Sequence, residues 1–193
     1  MSASVKRLVF GFVAALMLCA GSAFAADEGP SWKYVEGGYL SIDTDDLSAS
    51  GDNYFLGAAF GGSWWHVIGY FSNGDLGPGA QLQLWRVGLG WHGLLGDKAD
   101  VVGEAYYVDQ SVDTSGSSPS DTGYRITGGV RWVPIKLFEL DGFVNYNDVS
   151  SSSEVSYEAR AILNVWRLGF GAAYEKFDDA DQWNGFVRFT FGR

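Results

Sequence analysis

Apolar and polar residues alternate at every second position through most of the chain after residue 30. In the segment 83–91 an apolar set alternates with a small or charged set: Trp85, Val87, Leu89 and Trp91 against Leu84, Arg86, Gly88 and Gly90. Successive side chains of a strand point to opposite faces. Period-two alternation therefore predicts strands with one apolar face. The same pattern recurs at 124–132 and 167–177.

Ten such segments predict an all-β protein, a transmembrane up-and-down antiparallel β-barrel, with eight strands as the alternative. The predicted strands are 32–43, 53–62, 64–73, 82–93, 99–109, 122–133, 137–147, 155–163, 166–177 and 182–192. Short connections alternate with longer polar ones, and an even strand count leaves both termini in the periplasm. The loop 109–121 has five serines and no aromatic residue, which predicts disorder.

Aromatic residues fall at two levels along these strands. One level holds Trp32, Trp64, Trp65, Trp91, Trp132 and Trp166, and the other holds Tyr39, Tyr54, Phe71, Trp85, Tyr107, Tyr124, Tyr146, Tyr157, Tyr174 and Trp183. Two belts of amphipathic rings around an aliphatic middle match the headgroup levels of a bilayer. A soluble sandwich or a lipocalin-like barrel alternates just as regularly but has no need of two belts, so the pattern favours a membrane barrel.

Residues 1–25 have the features of a cleavable export signal. Lys6 and Arg7 form a positive region, residues 8–20 are almost wholly apolar, and Ala23 and Ala25 are the small residues that a signal peptidase reads. We expect cleavage after Ala25, which leaves residues 26–193 as one outer-membrane barrel domain. The only cysteine lies within the leader, so disulfides have no part in the predicted mature protein.

Acidic residues outnumber basic ones, 23 to 13, and this charge argues against a nucleic-acid partner. The faces opposite the apolar ones nevertheless collect six acids and six arginines: Glu36, Arg86, Glu104, Arg125, Arg131, Glu139, Asp141, Glu158, Arg160, Arg167, Glu175 and Arg188. Buried charges are tolerable when paired, and the arginine fork can bind two carboxylates. The sequence therefore predicts a salt-bridged, plugged lumen, with glycines 88, 90, 169 and 171 making room for arginine heads.

No catalytic constellation is visible in the sequence. His66 and His92 fall at the predicted periplasmic end, where we interpret them as turn or girdle residues. Because no nucleophile, base and orienting group converge, we predict no enzyme activity and no cofactor. The acidic loops carry Asp45, Asp46 and Asp52, and Asp178, Asp179 and Asp181. These are weak candidates for Ca²⁺ and lack the spacing of a calcium motif, so we predict solvated loops and no metal site.

Three short segments carry a family resemblance. Residues 34–39, Tyr-Val-Glu-Gly-Gly-Tyr, resemble the small outer-membrane barrel family once described as xanthomonad activators of plant immunity, within the broader OmpX- and OmpA-like barrels. Residues 85–90 and 99–102 are similar to further landmarks of that family. The resemblance implies a monomer inserted by periplasmic chaperones and the barrel-assembly machinery, and it carries over no catalytic residue.

The final predicted strand resembles a barrel-assembly signal because its lipid-facing positions are mostly apolar and run to the end: Trp183, Gly185, Val187, Phe189 and Phe191. Together these features predict a non-catalytic barrel of the bacterial outer membrane with a structural or surface-interaction role. Its expected surroundings are outer-membrane lipid and lipopolysaccharide, which meet acidic extracellular loops. The alternative is a narrow pore for small solutes, and a surface enzyme is a weaker one.

Overall fold

The computed structural model describes residues 30–44, 50–75, 79–114, 119–150 and 152–191. Ten β-strands run through them: β1 (Lys33–Thr44), β2 (Ser50–Gly61), β3 (Trp65–Asp75), β4 (Ala80–Leu94), β5 (Ala99–Thr114), β6 (Ser120–Ile135), β7 (Phe138–Val149), β8 (Ser152–Val165), β9 (Leu168–Lys176) and β10 (Ala180–Thr190). The prediction of ten strands is confirmed. The predicted leader, 1–25, lies outside the described residues.

Each strand is antiparallel to its neighbours in the chain, and β1 pairs with β10 to close the barrel. In the closing ladder Glu36 lies opposite Arg188, and Tyr39 lies opposite Gly185. Closure leaves no unpaired strand edge, which is the condition for a sheet to exist in hydrocarbon. Within the described ranges, no helix is long and apolar enough to cross a membrane.

The connections fall into two groups. Four tight turns, at 62–64, 95–98, 136–137 and 166–167, share one end of the barrel with residue 30 and residue 191. We call this the terminal end and the opposite one the loop end. Trp166, in a terminal-end turn, and Ser150, near the loop end, adopt left-handed backbone although neither is glycine.

The loop-end connections are shorter than predicted. Strands β5 and β6 continue their ladder to the pair Ser111 and Ser120, and β7 and β8 still pair where Asn147 faces Glu154. The prediction of disorder is therefore wrong for residues 109–114 and 120–121. Backbone groups pair along a ladder whatever the polarity of the side chains, so a serine-rich composition does not by itself end a strand.

The barrel has an apolar outside and a largely polar inside. On β4, Val87, Leu89 and Trp91 are exposed, whereas on the opposite face His92 is buried. The predicted girdle rings lie on the outer surface, with the exception of Trp32, which is buried. This inverted distribution follows directly from the alternation and exposes to the surroundings the side chains that a soluble protein would bury.

Candidate functional site: the barrel interior

An ion-pair network crosses the middle of the barrel, with Arg188 at its centre. The Arg188 guanidinium lies 2.7 Å from a Glu36 carboxylate oxygen and 3.0 Å from Glu139, and it stacks 4.1 Å from the centroid of the Tyr34 ring. Arg131 donates to the same Glu139 oxygen. Residues from β1, β6, β7 and β10 are thereby tied together across the lumen.

A second group of charges continues the network towards the loop end. Arg125 Nη2 lies 2.9 Å from Glu175 and 3.4 Å from Glu158. Arg160 donates to Glu158 and lies 3.7 Å from Glu36, so it joins the two groups. Each guanidinium contacts two carboxylates, as its planar fork allows. Among buried charges, such multiple pairing offsets the loss of hydration.

Neutral side chains that the charge pattern of the sequence did not single out complete these contacts. Asn145 Nδ2 donates to Glu175 at 3.0 Å, the Ser156 hydroxyl donates to the same oxygen, and Thr127 donates to Asn145 at 2.8 Å. All three neutral residues lie at inward positions of their strands and are buried. Strand parity alone could have identified them, because they share a face with the charged residues.

The terminal end of the lumen is filled by an aromatic stack. The Trp32 ring stacks against both His66 and His92, with centroid distances of 4.1 and 4.4 Å, and the two histidine rings lie 5.5 Å from each other. The Arg131 guanidinium lies 4.3 Å from the centroid of the Trp32 ring. The indole donates to Asp100 at 2.7 Å. We call Trp32, His66 and His92 the aromatic plug. The interpretation of Trp32 as a girdle residue and of the histidines as turn or girdle residues is wrong, because all three share the inward parity of their strands.

Glu104 has different partners from those expected. The predicted salt-bridged lumen implies an arginine partner for Glu104, but its carboxylate lies 2.8 Å from His66 Nε2 and accepts a hydrogen bond from Tyr106. In the ladders Glu104 faces Gly90 and Thr127, not an arginine. The prediction of an arginine partner is therefore wrong.

Of the remaining predicted network residues, Asp141 and Arg86 lie on the lumen side of the barrel, whereas Arg167 lies in a terminal-end turn. Asp141 lies on the inner face, 3.7 Å from Arg131. Arg167 lies in the turn between β8 and β9, with its guanidinium 5.3 Å from the Trp166 ring. Arg86 faces the lumen over the Tyr70 ring at 4.9 Å.

Three of the four interior glycines make room for rings and not for arginine heads, and a Cβ on the fourth, Gly169, would lie 2.9 Å from Ile162 and 3.5 Å from the Cβ of Arg188. A Cβ on Gly90 would lie 2.1 Å from the His66 ring, one on Gly88 would lie 2.8 Å from Tyr106, and one on Gly171 would lie 2.2 Å from Phe186. The expectation for these glycines was therefore wrong in the identity of the neighbour. Small residues face large ones across the strands, which fills a narrow lumen.

Two cavities of the barrel interior bear on its function. The central one, of about 60 Å³, lies within the ion-pair network, and Trp32 forms part of its lining. The second, of about 450 Å³, lies between the network and the loop end, and we call it the vestibule. Tyr70, Arg86, Arg125 and Gln182 line both. Among the residues that the structure describes, side chains fill the terminal end of the lumen and leave a larger cavity in its loop-end half.

Within the described residues no group of acidic, histidine or cysteine side chains is arranged to hold a metal ion. Asp181, one of the weak calcium candidates, lies 2.8 Å from Lys176 and accepts a hydrogen bond from Tyr174 at 2.9 Å. Asp45 and Asp46 lie outside the described residues. The assembly-signal residues Trp183 and Val187 are exposed on the outer face, and Phe189 packs edge-on against Phe191 at 5.0 Å.

Comparisons with known proteins identify the fold. No protein-family model matches the sequence, and no curated protein matches it. An outer-membrane channel from Pseudomonas putida F1 is similar in structure, with a TM-score of 0.51, 11% identity, and coverage of 89% of this chain and 98% of the channel. The KdgM porin in complex with disordered oligogalacturonate gives a TM-score of 0.48 with 10% identity over 82% of this chain and 99% of the porin. Neisserial surface protein A gives 0.42 with 15% identity over 82% and 95%.

The chain therefore has the fold of an outer-membrane β-barrel, as the alternation predicts. An apolar exterior around a charged interior is the distribution of barrels that reside in bacterial outer membranes. The protein is accordingly an integral outer-membrane protein.

Proposed function

We propose that this protein is a closed, non-catalytic outer-membrane barrel that acts at the cell surface through its loop end. The observation that supports this most directly is the filled lumen. The aromatic plug occupies the terminal end, the ion pairs of Arg188 and Arg125 cross the middle, and the central cavity of about 60 Å³ has room for only a few waters. Such an interior locks the barrel and leaves no continuous water path.

The orientation follows from the even number of strands. Both termini of such barrels lie in the periplasm, so the terminal end faces the periplasm and the vestibule faces the external medium. Its rim carries Asp121, Glu154 and Asp179, which present an acidic surface beside the lipopolysaccharide leaflet. We further propose that the protein is a monomer assembled by periplasmic chaperones and the barrel-assembly machinery. The motif at 34–39 supports membership of the xanthomonad activator-like barrel family.

Single-channel recording in a planar bilayer tests the closed state. We expect no discrete steps from the refolded wild-type protein, and stable steps would refute the proposal. Trp32→Ala removes the ring that separates the central cavity from the terminal end, and we expect it to produce brief, small steps. Trp166→Ala is the matched control, because this tryptophan is 77% exposed at the same end. A silent Trp32→Ala barrel would show that the plug lies elsewhere.

A narrow solute pore is the second candidate function, and one observation favours it. The vestibule and the central cavity share Arg86, Arg125, Tyr70 and Gln182, so a polar path continues from the loop end to the aromatic plug. In that case the plug would act as a gate, and wild-type recordings would show openings.

A further inference from the structure

The geometry points to the vestibule as a binding site for a singly charged amphipathic carboxylate, with Arg86 as its anion anchor. This inference rests on the proposed function only in taking the loop end to face the medium. Its ligand class follows from three features of the vestibule, which are its cation, its two unlike walls and its acidic rim.

Arg86 differs from the other inward arginines in its partners. The guanidiniums of Arg125, Arg131, Arg160 and Arg188 each lie within 4.0 Å of two carboxylates. Among the residues that the structure describes, no carboxylate lies within that distance of Arg86, and its guanidinium lies over the Tyr70 ring, 4.9 Å from the centroid. Arg86 is half-buried and lines the floor of the vestibule. Its donors are therefore directed at space that a ligand can occupy, and a planar carboxylate matches the guanidinium fork.

One side of the vestibule is mainly apolar. Strands β1, β4 and β5 contribute Leu40, Ile42, Leu82, Leu84 and Val108 there, with Gln110 as a polar member. The opposite side, from β6 to β10, is mixed, and polar residues such as Asn147 and Gln182 lie beside Val149, Phe177 and Ala180. A volume of about 450 Å³ is within the usual range for small-molecule pockets. Because the apolar side lies next to Arg86, the vestibule can contact both the hydrocarbon chain and the anionic group of an amphipathic ligand.

The acidic rim restricts the charge of the ligand. Asp121, Glu154 and Asp179 line the outer part of the same cavity. A dianion or a polyanion would meet these three carboxylates and find a single unpaired guanidinium below them, whereas a monocarboxylate needs only that one. We therefore infer a monoanion with a short apolar chain, in preference to a phosphate or a sulfated polymer.

Titration with hexanoate tests this inference. The barrel is refolded in phosphatidylcholine nanodiscs with ¹⁵N-labelled arginine, and the Arg86 Nε–H signal is identified as the one missing from Arg86→Gln. We expect a saturable shift of that signal and affinity that rises about fourfold per methylene from acetate through butyrate to hexanoate, the factor expected for burying a CH₂ group (~0.8 kcal/mol). Hexylammonium and inorganic phosphate should leave it unmoved.

Matched variants separate specific binding from adsorption to the lipid. Arg86→Gln should abolish hexanoate binding as seen by calorimetry, whereas Arg167→Gln, which makes the same charge change at the terminal-end turn, should retain it. Leu84→Ala should weaken hexanoate severalfold and leave acetate unchanged. Equal affinity for acetate and hexanoate, or binding that survives Arg86→Gln, would overturn the inference. The chain-length series uses the wild-type protein and so does not depend on the folding of any variant.

The two proposals fail separately. If the wild-type barrel gives no current steps and binds no hexanoate, the closed-barrel function is supported and the carboxylate site is refuted. If discrete current steps are seen and hexanoate binding still depends on Arg86, the closed barrel is refuted and the vestibule site is supported.

Discussion

A double-mutant cycle on Glu36 and Arg188 measures how strongly the interior network holds the barrel. Their side chains are 8% and 3% exposed and their closest charged atoms are 2.7 Å apart. At an effective dielectric constant of about 20, two unit charges at that distance attract by ~6 kcal/mol. Desolvation of both groups opposes this attraction. We expect Glu36→Gln and Arg188→Gln each to destabilise by ~3–5 kcal/mol, with a coupling energy of ~2–4 kcal/mol.

Arg188→Gln should lie at the upper end of that range, because Arg188 also contacts Glu139 at 3.0 Å. The chain offers a control pair at almost the same separation. Lys176 and Asp181 are 2.8 Å apart, but their side chains are 45% and 33% exposed. The cycle of Lys176→Gln and Asp181→Asn should therefore give a coupling below ~1 kcal/mol, as water screens the pair.

Equilibrium unfolding in urea, followed by tryptophan fluorescence in lipid vesicles, provides the free energies. The dependence of the unfolding free energy on urea should be the same for every variant, which shows that the same surface is exposed. If the buried cycle gives a coupling as small as that of the exposed control, the network does not lock the barrel and the reasoning fails.

Packing and assembly provide the remaining predictions. Gly38→Ala should destabilise the barrel by ~1–3 kcal/mol, because a Cβ there would lie 2.1 Å from the Gly185 carbonyl oxygen. Gly185→Ala, across the same ladder and with nothing within 4 Å, should change the unfolding free energy by less than ~0.5 kcal/mol; equal effects would refute the steric argument. Phe189→Ala combined with Phe191→Ala should lower the amount of protein in outer-membrane fractions several-fold, while Phe170→Ala on the lipid face of β9 should not. Unchanged fractionation of the double variant would remove the assembly signal.

The number of strands and the face on which each side chain lies could be predicted, because both depend on short-range alternation along the chain. Arg125 and Arg131 are inward and Tyr124 and Trp132 outward, as expected for neighbours on an extended segment. The same rule, applied consistently, would have placed Trp32 inside, since it has the parity of Tyr34 in β1. Tryptophan is typical of a girdle position, but the strand parity of residue 32 directs its side chain into the lumen.

Side-chain partners could not be predicted in the same way, because they depend on the register between strands. Glu104 contacts His66 from β3, two strands away, and no local feature of either segment specifies that meeting. The same limit applied to Gly90, which faces His66 across the β3–β4 ladder. A strand pattern defines the face of each residue, while its height in the barrel is set by turns and closure.

Register contributes to leaving Arg86 without an acidic partner. Arg188 lies opposite Glu36, and both Arg131 and Arg160 lie opposite Asp141, so three arginines have an acid directly across a ladder. Arg125 lies opposite Tyr106 and Asn147 and instead reaches Glu158 and Glu175 across the lumen. Arg86 lies opposite Tyr70 and Val108, neither of which is acidic. Substituting Val108 by Glu would supply the missing acid, and we expect Val108→Glu to remove hexanoate binding while Arg86 stays in place. Retained binding in that variant would show that the guanidinium is not the anchor.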